Sequence, residues 1–223
     1  MDLPHPDPQQ LTLDLPHHTA LGLEDFYESD SNRMALQFIR NWPESGLDRR
    51  VLITGPEGCG KTHLAHVWME MSGATRIDLN NQDVFRMSGI AVVIEDIDRI
   101  TTRTDEEKLF HLYNHLHHSG SWLLMTAAKP VNQMGIQIPD LLSRLQNTLD
   151  VGIEEPDDAL LRAVLAKHFH DRQMEISPRI LDYCVARMER SFVAAAALVD
   201  RLDKQSLSEK RPVSFQMVQK TGL

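Results

Sequence analysis

Eight consecutive residues, GPEGCGKT from Gly55 to Thr62, carry three glycines, a lysine and a threonine at the spacing of a phosphate cradle, G-x-x-x-x-G-K-[ST]. Glycines let successive backbone N–H groups curl around phosphate oxygens, and a helix starting at the end of the loop adds its partial positive charge. In such a loop Lys61 reaches the β and γ phosphates and the Thr62 hydroxyl binds Mg²⁺. The expected cofactor is therefore ADP or ATP with Mg²⁺, held by Gly55, Pro56, Glu57, Gly58, Cys59, Gly60, Lys61, Thr62 and His63. Cys59 is open to a redox-sensitive role, but a small space-filling residue is the simpler reading.

Phosphoryl chemistry also needs carboxylates. The run AVVIEDID places Glu95 and Asp96 directly after an apolar stretch, where Glu95 is positioned to serve Mg²⁺ and Asp96 to orient an attacking water. Acidic residues behind a strand are common, so this pair gains its weight from the glycine loop.

The elements that must position these groups are legible from apolar patterning. RRVLITG, TRIDL, IAVVIEDI, SWLLMTAA and NTLDVGIEE each have the length and branched or apolar content of a buried strand, and they alternate with helical stretches. That order predicts an α/β fold with a parallel sheet between helical layers, residues 21–154. Ser31 or Asn32 can cap its first helix, in which Met34, Ala35, Phe38, Ile39 and Trp42 recur at helical spacing. Beyond EEPDD the strand signals stop, and DDALLRAVLAKHF, SPRILDYCVARMER and SFVAAAALVDRLDKQSL predict a small helical unit, residues 155–223. Residues 1–20 hold four prolines and no sustained period and read as a flexible tail.

Composition narrows the partners. The 223 residues carry a formal net charge of −9, which argues against a DNA-coating protein because generic DNA affinity comes from lysines and arginines on phosphates. No apolar run approaches the length of a membrane span, and the acidic, proline-dotted N-terminus lacks signal-peptide character, so a cytoplasmic location is expected. The two cysteines, Cys59 and Cys184, lack metal or disulfide spacing and are expected as thiols.

Taken in order, LEDFYESDSNR, GPEGCGKTHL, VVIEDIDRI, LLMTAAKP, IPDLLSRL and ALVDRLDKQSLSEKRPVSFQMVQ resemble the AAA+ module of the bacterial replication initiator DnaA, from about Leu21 to near the C-terminus. The chain shows neither DnaA's helix-turn-helix domain nor its long N-terminal domain, and in this it is similar to the Hda-type regulators of the DnaA-related family. The resemblance implies a P-loop AAA+ αβα core with an all-helical lid. It further implies a regulator that binds the sliding clamp (beta subunit) of DNA polymerase III and makes DnaA hydrolyse its ATP, with a homodimer or higher AAA+ oligomer conceivable. Arg144 in DLLSRL then matches the arginine finger that acts in trans; its alternative is a surface pair with Asp140.

QLTLDL matches a clamp-binding peptide, with Gln10 at the rim of a pocket and Leu11, Leu13 and Leu15 in the apolar segment. A strand packed on the chain's own sheet is the competing reading of alternating leucines. Two positions depart from the family: Ala127 and Ala128 follow Thr126 where a polar sensor is expected, and Val193 or Ala194 stands where a second sensor arginine belongs, with Arg190 just upstream. Weak or no intrinsic hydrolysis, with ADP bound, is the expectation. A self-sufficient AAA+ ATPase, such as a helicase loader or DnaA-type remodeller, is the alternative. His111 and His115 lie four apart on a helix, a metal-compatible spacing, but solvated or partly packed histidines are the commoner explanation of it.

Overall fold

The computed structural model describes residues 26–42, 49–80 and 89–222. Five short apolar segments form one parallel sheet: β1 (Arg50–Thr54), β2 (Thr75–Arg76), β3 (Ala91–Ile94), β4 (Trp122–Ala127) and β5 (Leu149–Gly152), in the order β2-β3-β4-β1-β5. β4 lies at the centre and β1 runs between it and the edge strand β5, with Leu52 opposite Met125 of β4 on one side and Asp150 of β5 on the other. All five expected strands are present. The reading of every one as buried is corrected at the margins, since both residues of β2 and most of β5 are exposed. Apolar content alone does not distinguish a central strand from an edge.

Side chains of successive strand residues leave opposite faces of the sheet, and each face has its own helices. Leu52, Val92, Ile94, Leu123 and Met125 pack beneath α3 (Arg103–His118) and α4 (Pro139–Gln146). Val51, Ile53, Val93 and Leu124 pack against α1 (Arg33–Asn41) and α2 (Lys61–Ser72), where the Trp42 and Trp68 rings stack at 4.6 Å. The result is the three-layered αβα core expected from the alternation.

The helices after β5 are α5 (Asp158–Asp171), α6 (Pro178–Val185), α7 (Phe192–Glu209) and α8 (Phe215–Lys220), and they enclose a separate apolar cluster that includes Leu161, Phe169, Cys184, Leu198 and Met217. Their starts are written in side chains: Asp157, Ser177, Ser191 and Ser214 each accept the backbone N–H three residues on. α1 differs from expectation. Asn32 stands at its N-cap but makes no capping bond; its amide instead accepts from Ser29 N at 2.9 Å and donates to Tyr27 O at 2.8 Å, pinning the entry segment. Among the described residues no helix is long and apolar enough to cross a membrane.

Candidate nucleotide site and a seated arginine

The glycine loop joins the end of β1 to the start of α2, and its shape depends on side chains being absent. A Cβ on Gly55 would sit 2.4 Å from the Ile153 carbonyl oxygen, and one on Gly58, where φ is +72°, would sit 2.6 Å from the Ser191 Cβ. Among the described residues the backbone N–H groups of Gly58, Gly60 and Thr62 have no acceptor, while that of Lys61 faces the Cys59 thiol, which leaves three open donors around a helix N-terminus. Lys61 is buried and its Nζ donates to the carbonyls of Gly55 at 2.7 Å and Pro56 at 2.8 Å, so its charge is held over the loop. Cys59 is buried as well. Burial pushes its thiol up in pKa, outweighing the nearby Lys61 charge, so it acts as packing. His63 meets the edge of Phe26 with ring centroids 5.0 Å apart. Pro56 and Glu57 complete the loop, with Glu57 exposed.

The helical unit closes on this loop directly. Phe192, the first residue of α7, donates its backbone N–H to the Gly58 carbonyl at 3.0 Å.

Glu95 and Asp96 emerge at the end of β3. Asp96 adopts a left-handed backbone, φ +55° and ψ +45°, held by donation of its N–H to the buried Thr126 hydroxyl at 3.0 Å. A second tie of the same kind runs from Ala128 N to Asp98 Oδ1 at 3.0 Å. Thr126, in the strand expected to carry the first sensor, is thus spent on positioning Asp96. Arg99 reaches both Asp96 Oδ2, at 3.5 Å, and Glu57 Oε1, at 3.3 Å. The Glu95 side chain is 5 % exposed; Oε2 pairs with Arg76 of β2, and Oε1 is buried without a partner among the described residues.

A divalent cation fits this chemistry. Hard oxygen donors are present in the exposed Thr62 hydroxyl and the orphaned Glu95 Oε1, and a nucleotide would supply the remaining ligands. Among the described residues no three His, Cys, Asp or Glu side chains form a metal cluster by themselves, His111 and His115 included. Arg190 pairs with Asp158 at 2.7 Å, and Val193 is 69 % exposed at the start of α7.

Arg144 lies on α4, partly exposed, with its guanidinium over two rings of α3: 5.4 Å from the Phe110 centroid and 5.9 Å from that of Tyr113. The pairing with Asp140 is not formed, and among the described residues Arg144 has no carboxylate partner. Two further features hold its helix, and neither was anticipated. Buried Glu106 accepts the backbone N–H groups of Gln137 and Ile138, at 3.0 and 2.9 Å, just before α4. At the other end Thr148 donates to the Arg144 carbonyl at 2.9 Å and meets the Tyr113 hydroxyl at 3.1 Å. Gln10, Leu11, Leu13 and Leu15 lie outside the described residues.

Residues 157–221 match the family model of the Hda lid domain. The chain is also 24 % identical over 225 residues to the chromosomal replication initiator protein DnaA of Flavobacterium psychrophilum, an alignment covering 88 % of this chain and 47 % of that protein. The chain thus carries a lid that matches the Hda-type model and is similar along most of its length to DnaA-related AAA+ proteins. It spans about half the length of the DnaA relative it matches. Its fold is that of domain III of Thermotoga maritima DnaA, with TM-score 0.77, 18 % identity and coverage of 89 % of this chain and 93 % of that one. It is likewise similar to AMPPCP-bound DnaA from Aquifex aeolicus, with TM-score 0.72, 15 % identity and coverage of 91 % and 68 %.

Proposed function

We propose that this protein is a nucleotide-bound regulator of bacterial replication initiation that lends Arg144 to the ATPase site of DnaA. One observation carries the reading: a guanidinium on a short helix, anchored at both ends, seated on two aromatic faces and paired with no carboxylate among the described residues. An arginine that served only the chain's own stability would be expected to find an acidic partner, whereas one kept for charge developing on a neighbour's γ-phosphate must stay unneutralised.

The glycine loop, with the Lys61 ammonium and the open N–H groups of Gly58, Gly60 and Thr62, would hold the phosphates of ADP or ATP. Thr62 and Glu95 would hold Mg²⁺, which when bound neutralises phosphate charge. The poor supply of sensor groups supports ADP as a structural ligand: Thr126 is committed to Asp96, Arg190 to Asp158, and Val193 offers no charge. In this assignment residues 1–20 form the tail, 21–154 the base and 155–223 the lid. The tail segment from Gln10 to Leu15 would bind the sliding clamp of the replicase, its leucines buried by that partner. No specific DNA contact is assigned, and the cytoplasm is the site of action.

The test is ATP hydrolysis by DnaA, with and without this protein and DNA-loaded clamp. Stimulation that requires all three supports the reading. Rapid hydrolysis by this protein alone, with no effect on DnaA, would instead identify a self-sufficient ATPase.

A further inference from the structure

The carboxylate assigned to the metal already has a cation beside it. Arg76 Nη2 lies 2.6 Å from Glu95 Oε2, and the partners differ in exposure, 57 % for the arginine side chain and 5 % for the glutamate. The second oxygen, Oε1, is buried with no hydrogen-bond partner among the described residues. An enclosed carboxylate keeps its charge only where cations or donors compensate it, and here one oxygen is compensated while the other is open to a ligand. Both side chains line a cleft of about 570 Å³ shared with Asp96, Arg99 and Asp105. Because β2 contributes only two residues at the sheet margin, Arg76 enters from the rim, with most of its side chain in water.

We propose that Arg76 is a built-in counter-ion for Glu95 that competes with Mg²⁺, so that nucleotide binding by this chain is nearly independent of the metal. The inference rests on the reading of Glu95 as the metal-facing carboxylate. A guanidinium on Oε2 already cancels the charge that would attract a divalent ion to Oε1, and it repels any ion that arrives there. Arg99 repeats the arrangement more weakly at the half-buried Asp96. Arg76 is thus a positioning residue: it touches neither phosphate nor metal, and acts through Glu95.

The experiment measures binding of a fluorescent ADP to the nucleotide-freed full chain, in chelator and across a Mg²⁺ titration, for the unaltered protein, Arg76→Gln and Arg76→Gln/Glu95→Gln. The unaltered protein is expected to change affinity by less than about threefold between chelator and millimolar Mg²⁺, and Arg76→Gln to tighten by about tenfold or more. The double variant should lose that gain. Melting gives a second readout: Arg76→Gln should melt lower than the unaltered protein in chelator and recover in Mg²⁺. An Arg76→Gln response to Mg²⁺ equal to that of the unaltered protein overturns the proposal, as does an Arg76→Gln chain that stays unfolded in Mg²⁺. Failure of the unaltered chain to bind ADP under any condition overturns the nucleotide reading of the loop instead, so the two failures are distinguishable.

Discussion

Replacing Arg144 by alanine separates what its seat contributes to stability from what the guanidinium contributes to a partner's reaction. The stabilising contacts are two ring faces at 5.4 and 5.9 Å, close to the outer limit for a cation over an aromatic ring, and the side chain is partly in water. At exposed sites each such contact is worth about 0.5–1 kcal/mol, so their loss costs about 1–2 kcal/mol. For a chain of this size that is a fall in Tm of roughly 2–8 °C. An arginine finger, by contrast, is worth about 10³–10⁵ in rate, or roughly 4–7 kcal/mol of barrier. The functional loss should therefore exceed the stability loss severalfold. Arg144→Lys sharpens the comparison, because lysine keeps a cation over the rings but lacks the planar fork that grips phosphate oxygens. Its melting should stay within a few degrees of the unaltered protein while stimulation remains lost. The assay pairs thermal melting with single-turnover ATP hydrolysis by DnaA in the presence of DNA-loaded clamp. Stimulation by Arg144→Ala within about threefold of the unaltered protein would refute the reasoning. So would a collapse in melting far beyond that range, which would mark the arginine as structural.

Three further outcomes are expected. Lys61→Ala removes a charge-assisted phosphate contact worth about 1.5–3 kcal/mol, offset in part because the ammonium must leave two carbonyls at 2.7 and 2.8 Å; nucleotide affinity by calorimetry should fall roughly 10- to 50-fold, and an unchanged affinity counts against the cradle. Glu106→Ala leaves the N–H groups of Gln137 and Ile138 without their acceptor and should cost about 1–3 kcal/mol in urea unfolding, with Glu106→Gln recovering part of it; equal stability of all three would show that α4 does not depend on this anchor. Burial, helped by Arg172, lowers the pKa of His168 on α5 below its ordinary 6.5, so the folded state resists the proton that the unfolded state takes up. Stability should hold above pH 6.5 and decline as pH falls below it, and His168→Gln should flatten the decline; the same slope in the variant would place the titration elsewhere.

The sheet and the glycine loop between β1 and α2 were legible because both are local signals. RVLIT and WLLMTA can only be buried from both sides, and three glycines with a lysine and a threonine restrict a turn between strand and helix. Edges were not legible, because TRIDL looks as apolar as a central strand until its neighbours are known. Long-range polar pairs escaped for a related reason. In RTDEEKLF nothing marks Glu106, rather than Asp105 or Glu107, as the carboxylate turned inward to cap another element. Arg76 is one arginine in a strand, and its significance appears only when β2 lies against β3 and meets Glu95. The seat of Arg144 left a faint trace, since Phe110 and Tyr113 stand three apart on one helix face, but the spacing gives no hint of which cation will rest there.

The bond from Phe192 N to Gly58 O has a mechanical consequence. At 3.0 Å it tolerates only a fraction of an ångström of stretch before it weakens, and Ser191 already fills the space that any side chain at position 58 would need. A swing of the four-helix cap therefore strains the turn at Gly58, and a reshaping of that turn pulls on the start of α7.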